Sequence, residues 1–163
     1  MAERKIEEIY TGLRDQALSF GSVEIKASPV VPGGQALGVM MDMGYDTAVV
    51  SILGLADGTT SMYISNGGGM IGMGENPNAA AASKRWVEVA EAALPALTEG
   101  GDDRLPEEGT IGFNVLTTGP RFAGEAAESE LQGGSHPLSA LYAAGQEVLT
   151  QIRIVDETQK ANA

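Results

Sequence analysis

Residues 47–65, TAVVSILGLADGTTSMYIS, hold the reading that decides the fold. Two extended runs flank Ala56-Asp57-Gly58, and an Asp-Gly pair between apolar runs is a strong hairpin signal. Thr47 to Leu55 is therefore expected as one strand and Thr59 to Ser65 as the strand that returns. Apart from Ser51, the run from Ala48 to Leu55 is apolar on both faces. Such a strand belongs at the centre of a sheet, either covered on both sides or covered on one and buried in an oligomer on the other.

On the N-terminal side, Leu37 to Met43 is a second extended run, separated from the hairpin by Gly44-Tyr45-Asp46. Asp42 and Asp46 flank Gly44-Tyr45 and read as turn residues. Before this run, Val23 to Ala27 suits a short strand, and Pro29, Pro32, Gly33 and Gly34 suit a loop or sheet edge. Residues 3–20 form an amphipathic helix: Ile6, Ile9, Tyr10, Leu13, Ala17 and Phe20 recur at helical spacing. Glu3, Arg4, Glu7, Glu8, Arg14 and Asp15 fall mostly on the other side, and Gly21 ends the helix.

On the C-terminal side comes a glycine run, Gly67-Gly68-Gly69-Met70-Ile71-Gly72-Met73-Gly74. Asn76 is the expected N-cap and Pro77 the first position of a helix reaching about Leu97, with Ala82, Trp86, Val89, Ala90, Ala93 and Leu97 as its stripe. Gly100 to Gly109 is an acidic loop. Thr110 to Thr117 and Arg121 to Leu131 read as a second hairpin around Thr118-Gly119-Pro120, with Glu125, Glu128 and Glu130 suiting a sheet edge. Ser135 or His136 caps a last helix striped by Leu138, Leu141, Tyr142, Gly145, Val148, Leu149 and Ile152. After Asp156 a polar, disordered tail is expected over residues 157–163.

These elements predict one α+β domain over residues 1–163: a mostly antiparallel sheet of about five strands with three flanking helices. The order helix, three strands, helix, hairpin, helix resembles that of the roadblock, longin and profilin-like folds. The resemblance lies in element order.

Composition narrows function by exclusion. The formal net charge of −12 repels nucleic-acid phosphates and anionic lipid, so neither nucleic acid nor a membrane is an expected partner. The chain has no cysteine, which removes disulfides, thiol catalysis and cysteine zinc sites. Met1 to Tyr10 lacks an apolar signal region and no run approaches the length of a membrane span, so a cytoplasmic location is expected. His136 is the sole histidine, adjacent to Ser135 in a capping turn, and no arrangement of carboxylates is placed for acid–base work. Neither an enzyme nor a bound metal or cofactor is expected.

Two functional readings follow. Six methionines, Met40, Met41, Met43, Met62, Met70 and Met73, crowd around the doubly apolar strand, and Met adapts to partner surfaces. The first reading is a non-enzymatic protein-binding or scaffold module that self-associates, with a dimer first among the assemblies. Its expected interface residues are Val50, Ile52, Met62, Met70 and Met73. The alternative is a small-ligand site for a nucleotide or other anion, formed by Gly67, Gly68, Gly69, Gly72, Gly74 and Asn76. Against it, Glu75 carries the wrong sign, Asn76 comes four residues after Gly72, and Lys84 lies about 12 Å along the helix.

Overall fold

The central hairpin forms where the Asp-Gly signal places it. In the computed structural model, which describes residues 4–20, 25, 27–101 and 103–162, β2 (Val49–Leu55) pairs antiparallel with β3 (Thr60–Ile64). Gly58 takes a positive φ of 91° and Asp57 accepts a 2.9 Å hydrogen bond from the Thr59 amide, which together close the turn.

The extended run before the hairpin is β1 (Ala36–Gly44), buried along its whole length. It lies between β2 and β6 (Thr110–Thr117), and β7 (Phe122–Ala127) pairs with β6. Two-residue strands finish the edges: β4 (Gly69–Met70) on β3 and β5 (Thr98–Glu99) on β7. The sheet order is β4-β3-β2-β1-β6-β7-β5, every pair antiparallel. Among the described residues the sheet thus has seven strands, not about five, and the surplus is these two short edges. The α+β class and the antiparallel pairing stand as read.

There are four α-helices among the described residues rather than three: α1 (Glu8–Leu18), α2 (Pro77–Ala93), α3 (Glu128–Gln132) and α4 (Ser139–Ala161). The strand expected to reach Leu131 stops at Ala127 and α3 takes over. From Ala123 to Leu131 there is no β-branched residue, and Ala, Glu and Leu favour helix. Pro95 ends α2 early and leaves a 3-10 turn, Leu94–Ala96. Helix α4 continues past Asp156, where a Lys160–Asp156 pair at 2.9 Å spans one turn of what reads in the sequence as a tail. The short strand expected over 23–27 falls mostly outside the described residues.

The sheet carries a core on each face. On one, α2 and α4 cover Val39, Met41, Met43, Ile52, Phe113 and Val115. On the other, α1 covers Met40, Val49, Leu53 and Tyr63. Glycines set the close approach of the helical layer: Gly54 faces Trp86 and Ser83 of α2, and Gly145 of α4 faces Met41 and Trp86. The Trp86 indole N–H donates to the Leu141 carbonyl at 3.0 Å, joining α2 to α4. Among the described residues no helix is long and apolar enough to cross a membrane.

Candidate functional site

Building the glycine run residue by residue shows where its hydrogen-bonding capacity goes. The Gly67 amide donates to the Ile64 carbonyl at 2.9 Å, and the Gly68 carbonyl accepts from the Ile64 amide at 2.8 Å. The Gly68 amide faces Asn66 Oδ1 at 3.4 Å. Gly69 continues into β4, where a Cβ would press on the Met62 carbonyl. Gly74 lies against the Gly58 carbonyl so closely that a Cβ would collide with it. Asn76 caps α2 through Oδ1, which accepts from the amides of Asn78 (2.9 Å) and Ala79 (3.2 Å). Gly72 turns the chain at φ 79° before the 3-10 turn Met73–Glu75. Gly67, Gly68 and Asn76 thus spend these groups on local structure, while Gly69 and Gly74 admit neighbouring backbone.

The residues read as an interface separate in the structure. Ile52, Met62 and Met73 are buried within the subunit, in the core under α2 and α4. Val50 and Met70 are half-buried beside that core. Both faces of β2 are therefore covered by the chain's own helices. Of the large apolar side chains exposed among the described residues, Ile6, Ile9 and Ile71 lie at α1 and the glycine run, and Tyr45 and Ile154 lie elsewhere. Ile9 is 63% exposed and Ile71 65%, and Ile6, close to Ile9 in sequence, is exposed as well. Ile9, Leu13, Tyr63, Ile64 and Ile71 line a groove of about 160 Å³ whose floor includes Gly67, Gly68 and Gly69.

This groove exists because α1 is rotated relative to its sequence stripe. Tyr10, Arg14, Ala17 and Leu18 face the sheet, while Ile9 does not; Ile6 precedes the helix, which begins at Glu8 rather than near residue 3. The cause is Asp42. It lies within β1 rather than in a turn, opposite Ser51 and Gly112, and it is buried. A buried carboxylate needs a partner, and Arg14 supplies one: Nη2 donates to Asp42 Oδ2 at 2.7 Å and Nε to Oδ1 at 3.3 Å. Ser51 Oγ donates to Asp42 Oδ1 at 2.5 Å, and the Tyr10 hydroxyl shares a 2.7 Å hydrogen bond with Ser51. Arg14 Nη1 also donates to the Asp103 carbonyl at 3.0 Å.

The electrostatics follow from burial. Desolvation, reinforced by the charge of Asp42, pushes the Tyr10 hydroxyl up to about 12. Burial pulls the Arg14 guanidinium down, but its hydrogen bond to Asp42 and the charge of that carboxylate outweigh this and hold it above its ordinary value. The network is a clamp that fixes the rotation of α1. Sequence reasoning missed it by assigning Asp42 to a turn. The available signal was a single acid inside an otherwise apolar run, LGVMMDMG, with an arginine next to the apolar stripe of the preceding helix.

His136 stands in the turn before α4, where Nδ1 accepts from the Leu138 amide at 3.0 Å and the His136 amide donates to Ser139 Oγ at 3.1 Å. Among the described residues no group of three or more His, Asp or Glu side chains could hold a metal ion. Comparison with protein families, curated proteins and solved structures finds no match to this chain.

Proposed function

We propose that this protein is a non-enzymatic binding module that self-associates through the apolar groove between α1 and the glycine run. The observation that carries the reading is the pair Ile9 and Ile71, each well over half exposed on the rim of a groove lined by Leu13, Tyr63 and Ile64. Exposed apolar surface with a concave centre is the usual form of a protein-binding site. The patch offers both ridges and a groove, which suits the self-complementarity of a two-fold dimer. It also adjoins β4, an edge strand of two residues with little backbone of its own to shield the sheet.

The interface of this reading therefore moves from the β2 face to the outer side of α1. Met70 stays at its margin, next to Ile71. A cytoplasmic location belongs to the same reading. Anion binding at the glycine run is disfavoured, because the Gly67 and Gly68 amides have local acceptors and Asn76 already serves the first amides of α2.

Size-exclusion chromatography with light scattering tests the proposal on the wild type and on Ile9→Glu/Ile71→Glu. The expected result is a dimer that the double substitution converts to a folded monomer. A wild-type monomer at high micromolar concentration would overturn it.

A further inference from the structure

A second cavity lies away from the groove, on the α1 face of the sheet but over its other half. There Gly100, Gly101 and Arg104 line a space of about 340 Å³ over β6 and β7. Its floor is opened by Gly112: a Cβ at this position would meet only the Asp42 Cβ, at 3.9 Å. Register places Asn114 two residues along β6, so its side chain leaves the sheet on the same face.

Asn114 is the telling residue. It is 3% exposed and lines the cavity, yet its Oδ1 has no hydrogen-bond partner among the described residues. Buried carbonyl oxygens are nearly always satisfied, so one left open toward a cavity marks where a donor belongs. The charged groups around the space set the sign of that donor. Asp42 is compensated by Arg14, and behind Gly101 Arg121 is paired with Asp103 at 2.5 Å. At the mouth stand two carboxylates, Glu99 and Glu125, against one cation, Arg104, which lies 3.5 Å from Glu125. Among the described residues that line the mouth, carboxylates thus outnumber cations, within a protein whose formal net charge is −12. A hard metal ion is a poor fit, since it requires several converging oxygen ligands.

We propose that this cavity binds a small organic cation bearing N–H donors, a primary ammonium or guanidinium, with Asn114 Oδ1 accepting one N–H and Glu99 and Glu125 countering the charge. The volume lies within the range of small-molecule sites. This site is independent of the groove and of self-association.

Isothermal titration calorimetry on the full chain tests it, with agmatine and putrescine as probes and N-methylurea as a neutral control, at fixed ionic strength. Both cations should bind saturably, one per chain, at about millimolar concentration or below, and N-methylurea should not. Gly112→Leu places a side chain in the cavity and should abolish binding with the far-ultraviolet spectrum unchanged. Glu125→Gln, at an exposed position that leaves folding intact, should weaken cation binding several-fold, which keeps the test decisive if Gly112→Leu does not fold. Three results would each overturn the proposal: no cation binding, so that water alone serves Asn114; equal binding of N-methylurea; or cation binding unchanged in the folded variants, which would assign it to the acidic surface at large.

Discussion

Arg14 and Asp42 are 3% and 1% exposed, and neither charge is tolerable there without the other. Arg14→Met should destabilise the protein by about 3–5 kcal/mol, because the carboxylate stays behind unpaired. Arg14→Met/Asp42→Leu should recover much of that loss, which urea unfolding of the two variants measures directly. Tyr10 gives a second prediction at this scale. Its hydroxyl holds a proton more tightly in the folded chain, with a value pushed up to about 12 from 10.0. The associated stability is fully present below pH 10 and is lost as pH rises from there toward 12, by about 2–3 kcal/mol. Burial raises Tyr45, Tyr63 and Tyr142 as well, so the alkaline loss is shared. Tyr10→Phe should flatten it in part, as read from unfolding free energies across that range. None of this network was legible in the sequence as read, because Asp42 beside Gly44 resembles a turn residue until its neighbours are known to be strand on both sides.

Elements that end on local signals were the easiest to read, and those whose ends depend on tertiary contacts were not. Asn76 and Pro77 start α2 where capping chemistry requires, and Asn76→Ala should cost about 1 kcal/mol in thermal or chemical unfolding. Gly74→Ala should cost about 1–3 kcal/mol, since its Cβ would meet the Gly58 carbonyl and that backbone must shift. Helix α1 is the instructive failure. Its apolar stripe was legible, but which part of the stripe meets the sheet was decided by one ion pair. Choosing Arg14 for the inner face turned Ile9 outward, and that choice created the candidate interface. The stripe of α4 was legible from Leu141 to Ile152, because its apolar residues far outnumber anything that could compete for the buried side, while the buried Ser139 and Val155 were not read as part of it.

For the whole molecule, the antiparallel pairing around two hairpins was readable from turn residues and strand runs. The distribution of helices between the faces was not, because β1 and β2, apart from Asp42 and Ser51, are apolar on both sides and either face would accept a helix. That double coverage moves the place to look for a partner from the sheet to the outer side of α1. Charge acts at this scale too. Two copies of a −12 subunit repel, so association through an apolar patch should strengthen as salt rises to physiological levels and beyond, the reverse of an association held by ion pairs. Sedimentation equilibrium over micromolar concentrations, at low and high salt, on the wild type and on Ile9→Glu/Ile71→Glu, tests the central claim most directly. A wild-type dimer favoured by salt, and a monomeric double variant with unchanged secondary structure, is the outcome predicted. A wild type that stays monomeric at high micromolar concentration, or a dimer indifferent to the two substitutions, would contradict it.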